Sequence, residues 1–147
     1  MNAQRLSQGG RIDRAKTLSF DWDGRKLKGF PGDTLASALM ANGQSVIGRS
    51  FKYHRPRGIY SLAGHDVNLL VEDGKRTNLR GDFLSIEPGL DVCSVNTRGG
   101  VKRDRLRIID RFGRWMPVGF YYKAFHTPRR LFPFYENQMR KIAGLGK

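Results

Sequence analysis

Between residues 18 and 42 the hydrophobic pattern of the chain switches once, from the period of a strand to that of a helix, and this switch limits the available folds most sharply. Leu18, Phe20 and Trp22 alternate with polar residues, Asp23-Gly24 supplies a tight turn, and residues 26–30 alternate again, which predicts a β-hairpin. Pro31-Gly32-Asp33 then breaks the second strand. Thr34 or Asp33 can cap a helix that places Leu35, Ala38 and Leu39 on one face and ends at Asn42-Gly43. Further strands are expected at residues 67–72, at 76–79 after the Asp73-Gly74 turn, and at 83–86. A hairpin, a helix and more strands packed across that helix form an α+β fold in the β-grasp arrangement.

The chain has 147 residues, enough for one domain with a real core, and its 39% hydrophobic content with 18 glycines implies irregular extensions around that core. Residues 1–16 are polar and lack a sustained period, so they read as a flexible N-terminal arm. Residues 17–97 hold the expected domain. Residues 98–147 read as a basic linker and an aromatic docking tail: Arg98, Lys102, Arg103, Arg105, Arg107, Arg111 and Arg114 come first, then Phe120, Tyr121, Tyr122, Phe125, Phe132 and Phe134. Pro133 in a first turn, a face of Tyr135, Met139 and Ile142, Arg140 and Lys141 in the last turn and Gly144 as a stop predict a short C-terminal helix.

Lys and Arg number 27 against 13 Asp and Glu, a formal charge of +14 that calls for a negatively charged partner. The single cysteine, Cys93, excludes an internal disulfide and any all-cysteine metal site within the chain, and it makes the cytoplasm the expected compartment. No apolar run approaches the about 20 residues of a membrane helix, so no membrane association is expected.

Three ordered blocks carry a family resemblance: GDTLASALMANG at 32–43, GRSFKYHRPRGI at 48–59 and GFYYKAFHTP at 119–128. With them the chain resembles the N-terminal region of the α subunit of heterotetrameric sarcosine oxidase. Related amine, opine and cyanide-forming dehydrogenases carry a 2Fe–2S ferredoxin domain here, with cysteines in a C-x4-C-x2-C pattern and a distant fourth. Sliding that pattern onto residues 57–60 puts the slots at Ser61, Asp66, Leu69 and, for the fourth, near Asp82. None is cysteine, and Cys93 lies well past them. The resemblance therefore implies a ferredoxin-like β-grasp domain without its cluster. The family chain continues into a dinucleotide-binding domain and a folate-binding domain; no G-x-G-x-x-G occurs here, so the FAD, FMN, NAD and tetrahydrofolate implied for the parent complex are assigned to no residue of this chain, which is expected to be a separate subunit or a truncated α subunit.

Arg49, Lys52, His54, Arg55 and Arg57 gather around Phe51, Tyr53 and Pro56, a stiff basic loop suited to a flavin phosphate or an acidic subunit surface. A charge run is ordinarily a solvated face, and only the resemblance turns this one toward a cofactor or partner contact. Ser61, His65 and Asp66 have the residue types of a nucleophilic triad, but sequence neighbours rarely achieve its geometry, and no catalytic residue is assigned. His54, His65, Asp66 and Asp82 lack the spacing of a metal site; Cys93 reads as a partly buried structural residue and His126 as a packing or surface histidine. The leading expectation is a non-catalytic structural or docking subunit of a sarcosine-oxidase-like complex acting on N-methyl amines. A basic nucleic-acid-binding protein and a ferredoxin-like electron-transfer subunit are the alternatives; charge and the aromatics interleaved with Arg and Lys at residues 51–57 support the first, and the vacant slots weigh against the second.

Overall fold

The computed structural model describes residues 5–112, 115, 119 and 128–142. Phe120, Tyr121, Tyr122, Phe125 and His126, with most of the third block, lie outside the described residues. Strand β1 (Leu18–Trp22) and strand β2 (Arg25–Gly29) form the expected hairpin, in the antiparallel register Leu18↔Gly29 to Trp22↔Arg25. Helix α1 (Leu35–Ala41) follows, with Thr34 as its N-cap accepting a hydrogen bond from the Ser37 amide. Seven residues are too few to hold a helix alone, so tertiary packing sustains it. At its end the Asn42 side-chain amide donates to the carbonyls of Ala38 and of Lys28 in β2, tying helix to hairpin.

A two-stranded ribbon comes next, β3 (Gly48–Arg49) against β4 (Pro56–Arg57). β5 (Leu70–Glu72), β6 (Leu79–Arg80) and β7 (Asp91–Ser94) then complete a five-stranded mixed sheet in the order β2-β1-β7-β5-β6. β7 runs parallel to β1 and antiparallel to β5. One half of the sheet is thus the hairpin, the other half comes from later in the chain, and β7 joins them.

The core follows from this order. Phe20 and Trp22 of β1, Leu35, Ala36, Ala38 and Leu39 of α1, Ile47, Leu69, Val71, Ile86 and Val92 form one buried cluster. Each large aliphatic or phenyl side chain buried there contributes about 1.5–3 kcal/mol. Gly29 is required by close approach: a Cβ on it would lie 2.4 Å from Cδ1 of Ile86 and 3.3 Å from Cβ of Ala38.

Three strand expectations change. The strand expected at 67–72 begins only at Leu70, because Asp66 holds the preceding residues in a loop and leaves Val67 exposed. Pairing expected over 76–79 occurs at Leu79–Arg80, and of 83–86 only Ser85 pairs, in an isolated bridge to Thr34. β7 has no counterpart among the expected strands. Beyond the sheet lie single 3-10 turns at Val101–Arg103 and Arg105–Arg107, a short helix Ile108–Phe112, and the helix Phe132–Ile142. Ahead of β1, Arg5 forks onto the buried Asp33 carboxylate at 2.8 and 2.9 Å, and the Asp13 amide donates to the Pro31 carbonyl. No helix among the described residues is long and apolar enough to cross a membrane.

Candidate functional site

The basic loop is the turn of the β3–β4 ribbon. Ser50 closes it, since its amide donates to the Arg55 carbonyl at 2.9 Å and its hydroxyl accepts from the Arg55 amide at 3.0 Å. His54 takes a left-handed conformation, φ 54°, which reverses the chain within the turn. The reversal divides the five candidate residues into two groups.

Arg49 and His54 point inward and are buried. Both meet the carboxylate of Asp104: His54 Nε2 lies 2.5 Å and Arg49 Nε 2.8 Å from Oδ2. The Arg49 N–H is not aimed at that oxygen, so its contact is an ion pair rather than a hydrogen bond, and its Nη1 donates instead to the His54 carbonyl at 3.0 Å. Asp104 Oδ1 accepts from the amides of Arg98 and Leu106. Burial by itself raises the Asp104 carboxyl, but the Arg98 amide, the His54 ring and the Leu106 amide outweigh it and hold the group below the usual carboxylate range. The carboxylate therefore fastens the first part of the basic segment to the ribbon.

Arg55 and Arg57 are exposed and Lys52 is half-buried. Lys52 Nζ and the Arg55 guanidinium lie over the Tyr53 ring, 4.7 and 4.8 Å from its centroid, a spacing that suits cation–π contact. Arg57 donates to the Asn68 side-chain oxygen at 2.6 Å. Beside it, a groove of about 600 Å³ is lined by Phe51, Arg57, Val67, Asn68, Leu70 and Asn78 among others. The outward cations are therefore held by a ring and an amide within the chain.

The four slot positions do not fit an iron–sulfur cluster. Leu69 is wholly buried in the hydrophobic core and offers no ligand atom. Asp66 and Asp82 are buried carboxylates already committed: Asp66 accepts from the amides of Tyr60, Ser61 and Asn68, and Asp82 from the Asp66 amide and the Arg80 guanidinium. Ser61 Oγ stands 3.4 Å from Nε2 of His65, and the oxygens of Asp66 face amides, so these three residues are not arranged as a triad. Among the described residues no three His, Cys, Asp or Glu side chains gather to hold a metal ion. Cys93 is exposed rather than partly buried, because it occupies an outward position of β7 between inward Val92 and Ser94. Desolvation of its sulfur, with the charges of Asp23, Asp91 and Glu72, pushes the thiol up and keeps it protonated near neutral pH.

Two organising residues were not among the sequence candidates. Asp104 carried a signal, as a carboxylate between Arg103 and Arg105 in a basic run. Asp23 looked only like a turn residue, yet its carboxylate accepts from the amide and hydroxyl of Ser94 and from the Val101 amide, joining the hairpin turn to the end of β7 and the basic segment.

The chain is similar to several known proteins. Residues 15–97 match the family described as the 2Fe-2S iron-sulfur cluster binding domain. The sarcosine oxidase subunit alpha of Rhizobium meliloti (strain 1021) is 41% identical over 152 aligned positions, which cover 100% of this chain and 15% of that protein. The sarcosine oxidase subunit alpha of Corynebacterium sp. (strain U-96) is 44% identical over 107 positions, 65% of this chain and 11% of that protein. Among solved structures, the L-proline dehydrogenase from P. horikoshii aligns with 56% of this chain and 16% of its own, at a TM-score of 0.47 and 20% identity. The chain thus spans a small part of the length of these relatives. It belongs to the 2Fe-2S iron-sulfur cluster binding domain family and is a homologue, over its whole length, of the sarcosine oxidase α subunit.

Proposed function

We propose that the chain is a non-catalytic structural and docking component of a sarcosine-oxidase-like flavoprotein complex, one that oxidatively demethylates N-methyl amines in the cytoplasm. The observation that carries this reading is the 41% identity to a sarcosine oxidase α subunit across the whole chain; the cysteine pattern slid onto residues 57–60, which meets Ser61, Asp66, Leu69 and, near the fourth slot, Asp82, supports the non-catalytic part of it. The sheet order β2-β1-β7-β5-β6 with α1 packed on it supports reading the domain as a β-grasp. The flavins FAD and FMN, with NAD and tetrahydrofolate, belong to other subunits or domains of such a heterotetrameric complex, which would feed one-carbon metabolism. Lys52, Arg55 and Arg57 form the partner contact, and Arg49 and His54 hold that contact in place from behind through Asp104.

Co-expression with the other subunits of a sarcosine-oxidase-type complex tests the reading. Arg55→Ala and Arg57→Ala are expected to weaken assembly by about 2–5 kcal/mol, the cost of breaking a desolvated charge contact. Circular dichroism should be unchanged for both variants, since both residues are exposed. If both assemble like the parent at low and high salt, the loop is a solvated face and the docking assignment fails.

A further inference from the structure

In a cluster-binding domain the metal does two jobs, since it carries electrons and also cross-links the loop that holds it. Of the positions where the cysteine pattern falls when slid onto residues 57–60, two are buried carboxylates, Asp66 and Asp82, at 0% and 3% exposure. Their bonds follow the path of a cross-link. The Tyr60 and Ser61 amides converge on Asp66 Oδ2 at 2.5 and 3.0 Å, the Asn68 amide reaches Oδ1 at 2.7 Å, and the Asp66 amide donates to Asp82 Oδ2 at 3.0 Å. Arg80 pairs with Asp82 at 2.7 Å and donates to the Gly64 carbonyl at 2.8 Å, so the middle of the loop is tied to the same carboxylate.

We propose that Asp66 and Asp82 have taken over the cross-linking role of the metal: an internal anion, held by the loop's own amides, sets the loop in the shape a cluster would otherwise impose. Consecutive amides pointing at one centre make an anion-binding concavity, and in this chain the anion is a side chain rather than a bound group. Hydrogen bonds to a charged acceptor are about twice as strong as neutral ones, which suits a link between loop 60–68 and residue 82. The amides it uses are no longer available to a cluster sulfur. With the carboxylates turned inward, Tyr60 and Val67 are left 82% and 80% exposed on the outer side of the loop. The inference concerns this chain alone and holds whether or not the docking role is correct.

Amide hydrogen exchange on the full chain, refolded in the presence of a metal chelator, tests it. The Tyr60, Ser61 and Asn68 amides should be protected without iron. Asp66→Asn replaces one accepting oxygen with a donor and should speed their exchange by about tenfold or more, with the β1 and β2 amides unchanged. Should that variant not fold, Asp82→Ala carries the test: the Asp66 amide should exchange faster while Tyr60 and Ser61, whose acceptor is intact, stay protected. Free exchange of Tyr60 and Ser61 in the chelator-treated parent, or variants indistinguishable from it, would overturn the proposal.

Discussion

Asp104 sits between two arginines, yet its side chain is paired with Arg49 and His54, about fifty residues away in sequence. Removing one partner of a buried pair strands the other charge, at a cost of about 3–5 kcal/mol. Asp104→Asn should therefore lower the unfolding free energy by about that amount, measured by urea titration, whereas Arg55→Ala in the isolated chain should change it by about 0–1 kcal/mol. Equal effects would mean the inward and outward cations do not differ as described. Gly29→Ala should cost about 1–3 kcal/mol through overpacking against Ile86, a smaller loss read in the same titration. The sequence marked the basic cluster but could not divide it. Whether Arg49 or Arg57 is buried depends on a carboxylate supplied by a distant segment, and no local pattern encodes that pairing.

At the level of elements, what was legible is what local periodicity writes. Phe20 and Trp22 alternating before Asp23-Gly24, and Leu35, Ala38 and Leu39 behind the Thr34 cap, announced β1, β2 and α1. β7 was hidden because Val92 is the one large apolar residue it turns inward, with Ser94 as the other inward position; its place in the sheet comes from long-range pairing with β1 and β5. The connections between elements rest repeatedly on carboxylates. Asp33 joins the arm to α1, Asp66 and Asp82 join the loop to the end of β6, and Asp104 joins the ribbon to the basic segment. Burial raises each of these carboxyls, but hydrogen bonds, with arginine charge at Asp33 and Asp82, outweigh it, so each is held below its ordinary 3.8. A folded-state value below the unfolded one gives stability that is present above about pH 4 and is lost as pH falls through the lowered values. Thermal unfolding should hence show these contributions unchanged between about pH 5 and 7, with a steep loss below about pH 4. A chain equally stable at pH 3 and pH 6 would contradict this assignment.

Across the whole molecule, the carboxylates that are buried in such links leave the exposed charge even more one-sided than the formal +14. Added salt should slow association with an acidic partner surface, because screening weakens long-range steering. Stopped-flow binding at two ionic strengths would check this, and a salt-independent rate would argue against an electrostatic contact. The family resemblance was legible in the sequence because it lies in ordered blocks, and so was the lack of cysteines at the slots. What fills the place of the ligands was not, since Asp66 and Asp82 become a brace only when the loop folds onto β6. The most direct measurement for the account is anaerobic incubation of the full chain with iron and sulfide, followed by desalting and analysis for both. The prediction is a colourless protein without stoichiometric iron or sulfide. Stoichiometric iron and sulfide, with charge-transfer absorption in the visible, would show that the chain still binds the cluster of its family and would contradict the account.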